Sequence, residues 1–149
     1  MRAVVTRVKN ATVTRNGTGE LLGQIGKGFL VLLGVHNTDT EAEARKIADK
    51  LCGLRVFEDE NGKMNVSPAD AHAELLIVSQ FTLFADCRSR RPGFSAAARP
   101  DTAIPLYEMV SALCRERGFH VENGEFGADM LVESVNDGPV TILLDTKEL

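Results

Sequence analysis

The apolar residues of this chain fall into short runs, and two of the runs are continuous. Residues 29–33 and 75–78 are entirely apolar, which is the pattern of strands buried on both faces. Shorter runs rich in β-branched residues predict further strands at 3–8, 12–15, 21–22, 55–57, 120–121, 130–135 and 140–144. The sequence Asn16-Gly17 predicts a hairpin turn, and residues 136–139 (Asn-Asp-Gly-Pro) predict a turn between the last two strands.

Two segments repeat their apolar residues every three or four positions, as amphipathic helices do. The first helix is predicted at about 40–52, after Thr38 and Glu41, which have the spacing of a capping box. The second opens after Pro100-Asp101 and stops at Gly118. Consecutive strands with only two main helices predict an α+β fold with mixed, mostly antiparallel sheets. We expect a layered β/β/α sandwich or a barrel-like arrangement, in a single domain over residues 1–149.

Composition narrows the class of protein. Hydrophobic residues make up 44% and charged residues 26%, which is ordinary for a globular domain. No apolar run approaches the roughly 20 residues that span a bilayer, and the first residues lack the apolar core of a signal peptide, so a cytoplasmic protein is expected, without a membrane partner. The formal charge of -4 excludes bulk attraction to polyanions, so DNA is not an expected partner and any RNA contact must be local.

Common catalytic motifs are missing from the sequence. There is no Gly-x-Ser-x-Gly elbow, no phosphate-binding loop and no His-x-x-x-His pair, and no metal or cofactor is predicted. Cys52, Cys87 and Cys114 form no Cys-x-x-Cys pattern, which indicates a reducing compartment rather than a disulfide framework. Cys87 precedes Arg88, and a neighbouring cation lowers a thiol pKa, so a reactive Cys87 stands as an alternative to an incidental loop cysteine. The isolated histidines His36, His72 and His120 are expected to be structural or exposed.

Two short segments carry polar or rigid residues where packing alone does not require them. Ser79, Gln80 and Thr82 surround Phe81 where an apolar strand would continue, and an unsatisfied buried polar group costs about 1 to 3 kcal/mol. Their partners are either the local backbone or a ligand. The Gly138-Pro139 step is either a simple turn or a rigid steric gauge, because proline makes a cis peptide accessible in about 5% of X-Pro bonds.

The two segments together resemble the D-aminoacyl-tRNA deacylases. That family is marked by Ser-Gln-Phe-Thr-Leu, here residues 79–83, followed by Asn-Asp-Gly-Pro-Val-Thr, here residues 136–141. The likeness runs over the whole chain and includes the first eight residues, the 91–94 loop and Phe-Gly-Ala-x-Met at 126–130. Residues 88–94 depart from the usual Lys-Gly-x-Arg-Pro-Ser-Phe, since they read Arg-Ser-Arg-Arg-Pro-Gly-Phe.

The resemblance implies a reaction and a set of site residues. The substrate would be the 3′ end of aminoacylated tRNA, with hydrolysis of D-aminoacyl esters and of glycyl-tRNA mischarged on tRNA(Ala), while L-aminoacyl esters are spared. A cis Gly138-Pro139 peptide would enter the partner subunit's pocket in a homodimer with composite active sites, where its carbonyls collide with an L side chain. Further implied roles fall to Ser79, Gln80, Phe81 and Thr82 at the pocket floor, with amides that stabilise the oxyanion, and to Phe94 and Met130 beside it.

The mechanism implied by the resemblance is not covalent. Thr82 is the obvious nucleophile by residue type, but a threonine hydroxyl needs a base and the sequence identifies none. The family points instead to the 2′-hydroxyl of the terminal ribose. Arg88, Arg90 and Arg91 lie in a polar loop at 86–98 and are interpreted either as solvated or as contacts to tRNA phosphates. A non-catalytic tRNA-binding module, or a hydrolase that uses Cys87 or a histidine dyad, remains as an alternative.

Overall fold

The computed structural model describes residues 1–149 and contains eight strands and two α-helices. In chain order they are β1 (Arg2–Arg15), β2 (Leu21–Ile25), β3 (Gly28–Gly34), α1 (Glu41–Gly53), β4 (Phe57–Glu58), β5 (Met64–Val66), β6 (Glu74–Ser79), α2 (Pro100–Glu116), β7 (Val121–Asn123) and β8 (Met130–Asp145). Two short 3-10 helices, Phe81–Phe84 and Thr146–Glu148, complete the list. No helix is both long enough and apolar enough to cross a membrane.

Six of the strands form one mixed sheet in the order β2-β1-β3-β6-β7, with β8 on the other edge of β1. The pairs of β1 with β2, β3 and β8 are antiparallel, whereas β3-β6 and β6-β7 are parallel. The sheet curls until β2 meets β7: a Cβ on Gly23 would lie 2.7 Å from the carbonyl oxygen of Asn123. The predicted α+β fold, with a mixed and nearly barrel-like sheet, is confirmed.

The two continuous apolar runs lie at the centre of this sheet, as predicted. In β3, Phe29 and Val31 point to a large cluster shared with the helices, while Leu30 points into a smaller cluster inside the curled sheet. β6 divides in the same way between Ile77 and Leu76. Because both faces are buried, no polar residue is tolerated along either run. Helices α1 and α2 pack on one face of the sheet, which gives the layered arrangement.

Helix α1 begins as expected but with a different cap. Thr40 is the N-cap and forms the capping box with Glu43, so the predicted pair of Thr38 and Glu41 is wrong. The Thr38 hydroxyl instead lies 2.8 Å from the Nδ1 of His36. Both pairs have the spacing of a capping box. The helix begins at Glu41, so the residue just before it, Thr40, is the N-cap.

The last strand corrects the prediction of two strands joined by a turn. β8 runs from Met130 to Asp145 without reversing, and it pairs with β1 on both sides of residues 136–139. Asn136 is opposite Val8 and Thr141 is opposite Thr6, so residues 137–140 of β8 face a single β1 residue, Arg7. We call residues 137–140 the β8 bulge. Extra residues on one strand bend it and push its backbone out of the ladder.

Candidate active site

A cleft of about 300 Å³ opens at the end of β6, where four segments of the chain meet. It is lined mainly by apolar residues from β3, β6, α2, the loop 126–129 and the start of β8. Four of the predicted site residues line it: Ser79, Gln80, Phe81 and Met130. A mostly apolar cleft with a few polar groups is the usual form of a small-molecule or cofactor site.

The floor of the cleft is built where β6 gives way to a 3-10 helix. The amide of Gln80 donates to the carbonyl of Leu33 at 2.8 Å, which continues the β3-β6 ladder by one bond. The chain then turns at Phe81–Phe84. The Gln80 Nε2 donates to the Thr82 hydroxyl at 2.6 Å, so Thr82 lies beside the cleft with its side chain exposed. Among the polar side chains of this segment, those of Gln80 and Thr82 therefore bond to each other.

One wall of the cleft is formed by Tyr107 of α2, which the sequence analysis did not single out. Its hydroxyl donates to the carbonyl of Ile77 at 2.6 Å and accepts from the Nδ2 of Asn123 at 3.0 Å. Burial raises the Tyr107 pKa to about 12. The Tyr107 ring also meets the ring of Phe126 edge-on, with centroids 6.2 Å apart. These bonds fix α2 to the end of β6 and hold the wall in place.

A second part of the wall is the loop 126–129, which residues at the end of β1 hold in place. Asn16 donates from its backbone amide to the Asp129 carbonyl at 2.8 Å and from its side chain to the Asp129 carboxylate at 3.0 Å. Arg15 forms an ion pair with Glu125 at the start of the same loop. The hairpin predicted at Asn16-Gly17 thus has a second role, because it anchors the rim of the cleft.

Phe94 lies outside the cleft and packs on its rim. The Phe94 ring meets Phe81 edge-on, with ring centroids 5.2 Å apart. It follows a loop that two bonds between Asp86 and Gly93 close, at 2.7 and 2.9 Å. We call residues 86–93 the arginine loop. Gly93, one of the departures from the family pattern, thus takes part in closing the loop through its backbone.

The three arginines of this loop are not equivalent. The Arg88 guanidinium binds both carboxylate oxygens of Asp86, and that ion pair lowers the Asp86 pKa below its ordinary value. Neither Arg90 nor Arg91 forms an ion pair, and both side chains are exposed. The side chains of Arg90 and Arg91 are therefore available to bind an anion, whereas the charge of Arg88 is already paired with that of Asp86.

Gly138 and Pro139 do not line the cleft of their own chain. Both are exposed in the β8 bulge, and the peptide bond between them is cis. The bulge is held from below by Arg7, whose side chain is 5% exposed and donates to the carbonyls of Asp137 at 2.9 Å and Val56 at 2.7 Å. Asn136 closes the bulge by accepting from the amide of Val140 at 2.9 Å.

No histidine or cysteine lines the cleft. His36 packs edge-on to Phe84, while His72 and His120 are exposed, and Cys87 lies in the arginine loop. The one carboxylate in the lining, Asp129, accepts a hydrogen bond from Asn16. No group of three His, Cys, Asp or Glu residues has the arrangement of a metal site. The cleft is thus suited to positioning a substrate, and it offers Thr82 no adjacent histidine base.

Sequence comparisons identify the family. The family described as D-Tyr-tRNA(Tyr) deacylase matches residues 4–145. A D-aminoacyl-tRNA deacylase of Thermus aquaticus is 56% identical over 149 residues, which cover 99% of this chain and 97% of that protein.

Two solved structures have the same fold. One, described as a c-Myc DNA unwinding element binding protein, has a TM-score of 0.90 and 42% identity, over 97% of this chain and 98% of that one. The other, a probable eukaryotic D-amino acid tRNA deacylase, has a TM-score of 0.84 at 16% identity with the same coverage. The chain therefore belongs to the D-aminoacyl-tRNA deacylase family of hydrolases.

Proposed function

We propose that this deacylase hydrolyses the ester between a D-amino acid and the 3′-terminal adenosine of tRNA in a site shared by two copies of the chain. One copy supplies the cleft, and the other supplies the β8 bulge with Gly138 and Pro139. The observation that carries this proposal is the separation of the two motifs: the bulge is exposed and lies outside its own cleft. A motif that acts on the substrate must then act on a neighbour's substrate.

The exposed apolar residues of β8 support a homodimer. Along an edge strand that pairs only with β1, Leu131 and Val135 are exposed on one face and Leu143, to 68%, on the other. Apolar side chains exposed along an unpaired strand edge favour association with another chain. A two-fold axis beside Val135 would place Gly138 of one copy opposite Val132 of the other, each about 10 Å from the axis along the strand. Val132 lines the cleft.

Chirality is selected by exclusion. The backbone of Gly138 and Pro139 presents carbonyl oxygens and no flexible side chain that an L substrate could push aside. An L side chain would occupy their volume, whereas a D side chain points away from it. Glycine has no side chain in either direction, so glycyl-tRNA mischarged on tRNA(Ala) passes the same filter. Selection then acts by rejecting the wrong isomer and requires no contact with the correct side chain.

The hydrolytic step uses placement and electrostatics. The amides of Phe81 and Thr82 open the 3-10 helix, where N–H groups lack acceptors within the turn, and they stabilise the oxyanion of the ester. The 2′-hydroxyl of the terminal ribose assists the attacking water. Thr82→Ala is then expected to lower kcat by about tenfold or less, because one hydrogen bond is lost. Complete loss of activity with a trapped acyl-enzyme would contradict this mechanism.

The rest of the tRNA meets the arginine loop. Arg90 and Arg91 bind acceptor-stem phosphates, which gives affinity without sequence preference. The solved structure described as a c-Myc DNA unwinding element binding protein does not lead us to propose DNA as a ligand, because this chain carries a net charge of -4. Aminoacyl-tRNA is a cytoplasmic molecule, and we expect the enzyme to work there.

The shared site is tested by breaking the dimer away from the cleft. Leu143→Arg introduces a charge on β8, where leucine is 68% exposed, and Leu21→Arg places the same charge on β2, where leucine is 54% exposed. Light scattering should give a monomer for Leu143→Arg and a dimer for Leu21→Arg and the parent protein. D-aminoacyl-tRNA hydrolysis should fall at least about tenfold in the first variant only. A monomeric parent protein that remains D-selective would overturn the shared site.

A further inference from the structure

The three cysteines divide into one isolated residue and one pair. Cys87 is exposed in the arginine loop. Cys52 lies in the last turn of α1, and Cys114 lies in the last turns of α2, where the two helices pack on each other. Asp49, one turn before Cys52, accepts a hydrogen bond from Arg117, one turn after Cys114, at 3.1 Å, so the two helix ends that carry the thiols lie side by side, and neither thiol forms a disulfide. Two thiols that neighbouring helix ends bring together can react with each other.

Cys52 is the member of the pair that solvent can reach. It is half-buried and lines a cavity of about 540 Å³, together with Asp49, Arg55 and Arg117. Cys114 is fully buried behind it. A small oxidant that enters the cavity therefore meets Cys52 first, and Cys114 can react only with what Cys52 becomes.

The surroundings of the pair favour a thiolate at Cys52. The hydrogen bond with Cys114 and the positive charge of Arg117 hold the Cys52 pKa below its ordinary value of 9.0. Asp49 opposes this effect, but its carboxylate accepts from the Arg117 guanidinium at 3.1 Å. The same hydrogen bond and burial raise the pKa of Cys114. The thiolate is the nucleophilic form of cysteine, so the two residues have distinct roles.

We propose that Cys52 and Cys114 form a peroxide-reactive dithiol that closes to a disulfide between α1 and α2. The Cys52 sulfur attacks one oxygen of hydrogen peroxide, the O–O bond breaks, and a sulfenic acid and one water result. The Cys114 sulfur then attacks the Cys52 sulfur, the S–O bond breaks, and the leaving hydroxide takes the Cys114 proton as a second water. Two thiols and one peroxide thus give one disulfide and two waters.

The proposed disulfide would be connected to the cleft through helix α2. Helix α2 carries Ala103 and Tyr107, which line the cleft, on the same helix that Cys114 would tie to α1. The chemistry of the pair itself does not use the cleft. The proposal therefore stands or falls independently of the shared active site.

The experiment uses the Cys87→Ser protein, which retains only the pair. Stoichiometric hydrogen peroxide should remove both remaining thiols, with a mass loss of two hydrogens, no covalent dimer, and full recovery under dithiothreitol. A peptide that joins Cys52 to Cys114 identifies the bond. In Cys114→Ala, Cys52 should instead proceed to acids that gain oxygen, because the second thiol is absent. These two results together support the dithiol.

A matched pair of variants tests the role of the cavity. Arg117→Gln removes the cation beside Cys52, and Arg45→Gln removes an exposed arginine elsewhere on α1. Thiol loss at neutral pH should slow at least about twofold in the first variant and stay unchanged in the second. Oxidation of Cys52 to a sulfinic acid while Cys114 keeps its thiol in the Cys87→Ser protein would overturn the proposal. So would the survival of both thiols in excess peroxide.

Discussion

The floor of the cleft at residues 79–82 and the β8 bulge at residues 137–140 differ in how the chain holds them. The floor continues β6, a strand that is buried on both faces, and its ladder with β3 extends to Gln80. The bulge leaves the ladder altogether and rests on the side chain of Arg7. The difference teaches that the two parts can be altered separately: changes beneath the bulge should affect which substrates react, while changes beneath the floor should affect the whole fold.

The largest effect on the bulge is expected from replacing Arg7, the side chain on which the bulge rests. Arg7→Gln abolishes the donated bonds to the carbonyls of Asp137 and Val56 at a site that is 5% exposed. We expect the free energy of unfolding to fall by about 2 to 4 kcal/mol, since buried carbonyls lose their donors. Urea unfolding measures this, and the ratio of D- to L-aminoacyl-tRNA hydrolysis should fall as the bulge loses its support. Arg15→Gln, on the same strand but more exposed, should change stability by less than about 1 kcal/mol.

A more selective change acts within the bulge. Gly138 has a φ of +140°, and a Cβ there would lie 2.7 Å from the Val140 Cγ2 and 3.2 Å from the Arg7 Nη2. Gly138→Ala should therefore displace the bulge at a cost of about 1 to 3 kcal/mol. Relative to D-substrates, hydrolysis of L-aminoacyl-tRNA should rise at least about tenfold. Gly53→Ala, where a Cβ meets nothing within 4 Å, is the control, and an unchanged D/L ratio in Gly138→Ala would argue against the filter.

The wall of the cleft gives a prediction with its own optical probe, because Tyr107 is the only tyrosine and the chain has no tryptophan. Its pKa is raised from 10.0 to about 12 by burial. A raised pKa in the folded state means that the stabilisation is complete below pH 10 and is lost as the pH rises toward 12. Tyrosinate absorbance should stay low until that range. Ionisation at about 10 in the folded protein would contradict the buried hydroxyl.

Replacing the same side chain tests its hydrogen bonds. Tyr107→Phe removes the donor to the Ile77 carbonyl and the acceptor for Asn123, so stability at neutral pH should fall by about 1 to 2 kcal/mol. The variant should also lack the part of the alkaline loss of stability that comes from tyrosine ionisation. The D/L ratio should remain unchanged, in contrast to Gly138→Ala, because phenylalanine keeps the ring that lines the cleft and the bulge is not altered.

The smallest effect is expected outside both regions. The double variant Arg90→Gln, Arg91→Gln should lower kcat/KM for full-length D-aminoacyl-tRNA by about threefold to tenfold and reduce the salt dependence, because two phosphate contacts are lost. A D-aminoacyl-adenosine lacks the acceptor stem and should react equally with both proteins. Lys46→Gln, on the exposed side of α1, serves as the charge control. An equal loss of kcat/KM on D-aminoacyl-adenosine would show that these arginines do not act through the acceptor stem.

The local sequence pattern is sufficient to predict those helices and strands whose own apolar residues determine which faces are buried. The runs at 29–33 and 75–78 and the periodic segments of α1 and α2 lie where they were expected. β8 is different, because Asn-Asp-Gly-Pro favours a turn when taken alone and the observed bulge depends on pairing with β1 at the other end of the chain. That pairing is a long-range property. It also merges the predicted strands at 3–8 and 12–15 into one.

Only part of the cleft was predicted, because its lining also depends on contacts between residues that are far apart in the sequence. Ser79, Gln80 and Phe81 stand out locally, but Tyr107 and Phe126 look like ordinary core residues until four separate segments come together. The sequence does contain a signal for the buried position of Arg7, which the sequence analysis missed. It follows Ala3 and Val5 at alternate positions of β1, so it falls on the buried side of the strand, where a charged residue requires partners. That Gly138 and Pro139 act in a second copy stays a prediction.

The β8 bulge has a further consequence for assembly. A long edge strand with exposed apolar side chains is a template on which further chains can add without limit. Residues 137–140 interrupt that edge between Asn136 and Thr141, so no straight strand can hydrogen-bond along its whole length. The same four residues that hold Gly138 and Pro139 outward therefore also protect the chain from open-ended aggregation.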